Sequence, residues 1–314
     1  MKIEQALVGP TISPFKENFL KKWGLKEYTD PDKPAIFFEV WNGSRQAIID
    51  HRSDRILFPQ NYVDYLSFVE DRSTKNLERV FLVVPSGKTD FIPKNYKAKC
   101  FMPEIKDFSR FKPNVLGDKI YYHSGCDPNH PQCMKTIDKI QERIDYELIT
   151  CRFDKVHDYL SESDLKEKFY DKCFLSLNFT RGGGMCTTIE LALMGRKTII
   201  GDPRGRERSR RNYRTPKYSG DQVDWERHDF YNYPSFIKYE SFDDIINKIN
   251  EEAKKIGTIQ PAMNPHKVGA EWLDMEFWHS DKYEITTDDS KAPEIDPLPK
   301  GWIDPAAINY PPKV

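Results

Sequence analysis

No run of eighteen apolar residues occurs in this chain, so no hydrophobic segment of membrane-spanning length is expected. Neither sign of charge is in excess. The 48 basic and 49 acidic side chains leave a formal net charge of −1, which excludes a global field drawing the chain onto nucleic acid or anionic lipid. Cysteine is sparse, with six residues spread along the chain, and Cys100, Cys151 and Cys173 lie in apolar or strand-like text. Reduced thiols in a cytoplasmic setting are therefore expected rather than a disulfide framework. The opening MKIEQALVGPTIS lacks the basic-then-apolar pattern of a secretory leader, so the sequons at Asn42 and Asn178 read as chance matches. What is present is a chain of 314 residues, long enough for two domains with separate cores.

The densest information lies in Phe174–Arg204, FLSLNFTRGGGMCTTIELALMGRKTIIGDPR. Leu175, Leu177 and Phe179 alternate as in a strand. Gly182, Gly183 and Gly184 then allow a sharp bend and close approach of a ligand to the backbone. Ile189, Leu191, Ala192, Leu193 and Met194 read as a helix stopped by Gly195, and Thr198–Ile200 as the next strand. A glycine turn feeding a helix N-terminus offers free N–H groups and the positive end of a dipole, which favours phosphate.

Thr180-Arg-Gly-Gly-Gly, followed by Thr187, Glu190 and Met194-Gly195-Arg196, resembles the C-terminal half of a GT-B-type glycosyltransferase, of the kind found in phages and viruses. The resemblance implies that Thr180, Arg181, Gly182, Gly183, Gly184 and Thr187 hold the donor's diphosphate, and that Glu190 binds the ribose hydroxyls. Many retaining members carry a second glutamate eight residues before the ribose-binding one. Here that position is Gly182, which leaves the stereochemical course open.

Elsewhere the text alternates in the same way. Strands are expected at Ala6–Val8, Ala35–Trp41, Arg55–Phe58, Val80–Val84 and Lys99–Met102, with helices at Pro14–Trp23 and Arg45–Arg52. The polar run Asp107–Asp118 reads as a linker between domains. Beyond it come strands at Lys119–His123 and Tyr146–Cys151, helices at Met134–Ile144 and Leu165–Tyr170, and an amphipathic helix at Asp243–Ile256. The expected fold is α/β, with two Rossmann-like doubly wound domains facing a cleft in the GT-B manner. Residues 1–112 form the acceptor-side domain, 118–265 the nucleotide-sugar domain, and 266–314 a crossover with an extended tail. Trp272, Phe277 and Trp278 are candidates to anchor that return to the first domain.

Three further clusters bear on function. Ser124 and Gly125, in HSGCDPNHPQC, follow the first strand of the second domain, where the resemblance places a donor-phosphate loop. His123, Cys126, His130 and Cys133 in the same run offer structural zinc as the alternative, although H-x2-C-x3-H-x2-C is not a familiar finger pattern. The basic run from Pro203 to Lys217 carries Arg204, Arg206, Arg208, Arg210 and Arg211, which suit donor phosphates or an anionic acceptor, or form a solvated loop.

Arg181 is the first candidate to neutralise the leaving diphosphate, its planar fork matching phosphate oxygens, so no metal is required. Candidates for a base are Glu17 after the first loop, Glu39 at a strand end and the pair Asp50 and His51, with His51 as a packed helix-end residue in the competing reading. The expected activity is transfer of a hexosyl or pentosyl group from a nucleotide-sugar co-substrate, with no further cofactor. The acceptor is a hydroxyl on a glycan, a lipid-linked sugar or a modified DNA base. The alternatives are a sugar-nucleotide epimerase of the same fold, or an inactive nucleotide- or nucleic-acid-binding protein centred on the arginine run.

Overall fold

The computed structural model describes residues 1–8, 13–38, 44–58, 77–84, 96–101, 103–122, 137–150, 161–178, 185–200, 234–239, 241–263 and 268–284. These residues form an α/β protein built on two sheets whose strand pairs are all parallel. Parallel strands are covered on both faces and so read as continuous apolar runs. AIFF and RILF, buried at every position, show this directly.

The first sheet contains β1 (Gln5–Val8), β2 (Lys26–Glu27), β3 (Ala35–Phe38), β4 (Arg55–Phe58), β5 (Val80–Val84) and β6 (Tyr96–Cys100), in the order β2-β1-β3-β4-β5-β6. Helix α1 (Ser13–Trp23) links β1 to β2, and α2 (Arg45–Asp50) links β3 to β4. Gln5 locks the entry of this sheet. Its amide donates to the carbonyls of Asp30 and Lys33, at 2.6 and 3.0 Å, and its carbonyl accepts from the N–H groups of Thr29 and Asp30. All four hydrogen bonds available to a buried glutamine are thus made.

The second sheet contains β7 (Lys119–Tyr122), β8 (Leu148–Thr150), β9 (Cys173–Asn178), β10 (Lys197–Ile200) and β11 (Phe236–Ile237), in the order β11-β10-β9-β7-β8. Its helices are α3 (Glu162–Lys168), α4 (Met185–Leu193) and α5 (Phe242–Ala253), with residues 137–141 also helical. The side chains of Ser161 and Ser241 cap α3 and α5 by accepting from N–H groups three residues on, each at 3.1 Å. Helix α4 stops where expected. Gly195 has φ +83°, its N–H reaches the Ala192 carbonyl, and the Arg196 N–H reaches that of Leu191. One face of the sheet buries Ile120, Leu177 and Ile199 against Ile245 and Ile249 of α5.

The connecting segment, 103–118, is polar in composition yet firmly packed. Phe108 and Phe111 are buried, and Phe111 lies against Tyr170. Arg196 is fully buried and ties this segment down. It donates to the carbonyls of Cys173, Met194 and Val115, at 3.2, 2.5 and 2.9 Å, and to the side chain of Asn114. One apolar cluster therefore runs from Phe38 and Phe81 of the first sheet through Phe101, Phe108 and Phe111 to Tyr121, Ile189 and Leu191.

Residues 268–284 pack on the first sheet. Leu273 accepts from the Ile3 N–H and Met1 from the Met275 N–H, while Cys100 donates to the Tyr283 carbonyl. Trp272, Phe277 and Trp278 are buried against Phe101, Phe277 and Trp278 lying in helix α6 (Met275–His279). Lys99 is buried as well and donates to the carbonyls of Ser280 and Lys282, the latter at 2.7 Å.

Candidate functional site at the carboxyl edge of the second sheet

In an open parallel sheet, a ligand crevice opens at the carboxyl ends of two neighbouring strands whose connections run off in opposite directions. The second sheet has one such point. From β7 the chain passes to β8 on one side, and then to β9 on the other. Strands β7 and β9 are hydrogen-bonded neighbours, with Tyr122 opposite Leu177, and β9 and β10 are paired with Asn178 opposite Ile200. Three adjacent parallel strands thus end at one edge.

Several sequence candidates come soon after these strands in the chain. Ser124 and Gly125 follow β7; Thr180, Arg181, Gly182, Gly183 and Gly184 follow β9; Arg204, Arg206, Arg208, Arg210 and Arg211 follow β10. All of these lie outside the described residues, as do Glu39 and the set His123, Cys126, His130 and Cys133. The strands that lead into them are described, and they end side by side. Helix α4 starts at Met185, directly after Gly184, and presents its N-terminus to the same region.

Thr187 and Glu190 are described, and they lie on one face of α4, three residues apart. Glu190 is only 2% exposed and both its oxygens are engaged. Its Oε1 forms an ion pair with Lys106 of the connecting segment, and its Oε2 accepts from the Tyr170 hydroxyl at 2.9 Å. The same hydroxyl lies 3.3 Å from Thr187 Oγ1. Lys106 is 6% exposed, sits 2.8 Å from Glu162 Oε1, and has its ammonium over the rings of Phe108 and Phe111. Arg110 approaches the other oxygen of Glu162 at 3.3 Å. Two cations and two carboxylates thus form a charge-balanced network that is buried at Glu190 and Lys106 and reaches solvent through Glu162 and Arg110.

The electrostatics follow from this enclosure. Burial pushes the Glu190 carboxyl above its ordinary range, while Lys106 and Tyr170 draw it back. Burial opposes charge on Lys106 too, but Glu190 and Glu162 outweigh it and hold the ammonium above its usual value. The Tyr170 hydroxyl is raised well above its ordinary value by burial and by the carboxylate beside it. Lys106 and Tyr170 did not figure among the sequence candidates. A lysine in polar connecting text reads as solvated, and nothing local marks its pairing with a glutamate on a distant helix.

The first sheet has a similar switch point between β1 and β3, and Glu39 is the next residue in the chain after β3. Asp50 and His51 lie elsewhere. The Ala35 N–H donates to the Asp54 carbonyl, so the turn holding His51 sits at the amino edge of the sheet. His51 is buried between Tyr28 and Phe37, with Nδ1 3.2 Å from the Tyr28 hydroxyl and Nε2 3.2 Å from the Asp54 carbonyl. Burial lowers its pKa. Asp50 is exposed and accepts from the Gln46 side chain at 2.9 Å. The fold thus brings together the strand ends leading to the donor candidates, and sets Asp50 and His51 at the amino edge of the first sheet.

Among the described residues no group of His, Cys, Asp and Glu side chains is arranged to hold a metal, and no helix is long and apolar enough to cross a membrane. No protein-family model matches the chain, and no curated protein matches it.

Proposed function

We propose that this protein is a GT-B-type glycosyltransferase that takes a nucleotide-sugar as donor and transfers the sugar to an acceptor hydroxyl. One observation carries the reading. The two segments that resemble donor-phosphate loops, Ser124–Gly125 and Thr180–Gly184, follow the two neighbouring strands β7 and β9 at the switch point of a parallel sheet. The arginine run follows the next strand along that edge.

In the proposed reaction the acceptor oxygen bonds to the anomeric carbon as the bond from that carbon to the diphosphate breaks. The acceptor hydroxyl gives up its proton, and the nucleoside diphosphate leaves with the bonding electrons. Arg181 and the N–H groups at the start of α4 stabilise the charge that develops on the leaving group. Glu39, the next residue in the chain after β3, is the candidate base on the acceptor side. Asp50 and His51 are not assigned to the reaction, because they lie at the amino edge of the first sheet. Glu190 is assigned to holding α4 in place rather than to the ribose, because it is buried and already paired with Lys106 and Tyr170.

The test is a thermal-shift panel of UDP, GDP, CDP, ADP and dTDP, with and without attached sugars. A ligand that binds only the folded state raises the melting temperature according to its concentration and affinity. One base should give a selective rise, and Arg181→Ala should weaken that binding by about tenfold or more, as expected for loss of a charge-assisted phosphate contact. Asp50→Asn should leave it unchanged. A flat panel would reject the donor site and favour a binding protein centred on the arginine run.

A further inference from the structure

Lys106 belongs to neither sheet, yet it is more completely enclosed than most charged side chains become. Its ammonium joins Glu190 of α4 to Glu162 in the first turn of α3. Through Glu190 the contact continues to Tyr170, at the entrance to β9, and on to Thr187. The connected residues therefore bracket the β9–α4 turn from both sides: Tyr170 stands before β9, and Thr187 and Glu190 stand in the helix after it.

A buried ion pair is a poor way to gain stability, because the desolvation of both charges offsets most of their attraction. An apolar pair of similar volume would hold this seam at least as well. What charges add is geometry. An apolar contact tolerates sliding, whereas an ammonium between two carboxylates has few acceptable positions. Helix α4 also buries Ile189, Leu191 and Leu193 in the apolar cluster, and its Ala192 carbonyl accepts from the Met263 N–H at 2.9 Å near its C-terminal end.

We infer that Lys106 is a positioning residue: acting through Glu190, it sets the register of helix α4, and with it the placement of the helix N-terminus toward the donor's diphosphate. The second half of this statement rests on the proposed donor site; the first half stands on the contacts alone. The two can fail separately.

The experiment compares the wild-type protein with the paired variant Lys106→Met with Glu190→Gln, which removes both charges and leaves none stranded. Amide hydrogen exchange is followed in α4 and, for reference, in α5. Affinity is measured for the nucleoside diphosphate that shifts the wild-type melting temperature. The melting temperature of the variant should stay within about 4 °C of wild type. Protection of the α4 amides should fall by about tenfold while that of α5 is kept. Nucleotide affinity should fall by about tenfold or more, since misplacement of a binding turn by an ångström is costly.

Unchanged exchange in α4 would overturn the inference, whatever the nucleotide does. Faster exchange in α4 with unchanged affinity would overturn the link to the ligand. If α4 loosens and no nucleotide binds even the wild-type protein, the register role stands and the donor reading falls. Should the neutral pair fail to fold, Glu190→Asp provides the same readouts, because it keeps the charge and withdraws the carboxylate by one methylene.

Discussion

Gly117 lies directly against the backbone of Lys172. A Cβ at that position would stand 2.1 Å from the Lys172 carbonyl oxygen, and the Gly117 N–H donates to Cys173 at 3.2 Å. The obstacle is backbone, so no side chain can swing aside. The end of the connecting segment is thereby seated on the strand entry that leads to the proposed donor turn.

Gly117→Ala should accordingly cost about 3 kcal/mol or more, in the upper range for forcing extra atoms into packed structure. Gly257→Ala is the comparison. Gly257 has φ +79° but nothing within 4 Å of an added Cβ, so only left-handed strain of about 1 kcal/mol applies. Urea unfolding of the two variants should separate them clearly. Equal losses would mean that the approach to Lys172 relaxes freely.

Arg196→Met should be among the more damaging changes at a single side chain. Its guanidinium serves three backbone carbonyls and Asn114 in a buried site, and methionine fills the space without donating. The Cys173 carbonyl keeps the Gly117 N–H, but the Met194 and Val115 carbonyls and Asn114 each lose this donor, at a cost of about 3 kcal/mol or more in total. Lysine should rescue only part of the loss, because an ammonium cannot reproduce the planar fork.

The alternation of strands and helices was legible because a parallel sheet needs unbroken apolar strands. Arg55–Phe58 and Val80–Val84 have the expected bounds to the residue. Strands β2 and β11 were not read. Each is two residues long, too short to show a period; Lys26 and Glu27 are exposed and charged, and Phe236 and Ile237 are only part-buried. The Tyr170 turn was read as the end of a helix, whereas α3 stops at Lys168 and a separate 3-10 turn follows. Lys106 was not read at all, since its meaning comes from Glu190 and Glu162 rather than from its neighbours in the chain.

The buried His51 should make folding sensitive to mild acid. Burial depresses its folded-state pKa below the ordinary 6.5, with Arg55 and Arg79 also disfavouring a second proton. For a depressed histidine, the stabilising contribution is complete above the unfolded value and is lost as pH falls toward the folded one. Wild-type stability should therefore decline more steeply than that of His51→Asn below about pH 6.5. Parallel pH profiles of the denaturation midpoint would show that His51 does not carry this dependence.

Lys99→Met should loosen residues 275–284 selectively. The lysine is buried beneath that segment and donates to two of its carbonyls. Limited proteolysis and amide exchange should show faster opening of the segment, with strands β7 to β10 protected as before. Opening that is uniform across both sheets would instead point to general destabilisation.

The return of residues 268–284 has a consequence for synthesis of the chain. Trp272 and Trp278 complete a core whose other members, Phe19, Phe38, Phe81 and Phe101, leave the ribosome much earlier. The second sheet draws its described strands from Lys119 to Ile237 and can close before that return is made. The half translated first is thus the half finished last, and its nascent aromatic surface must wait, exposed to chaperones and to aggregation, for the indole rings that will cover it.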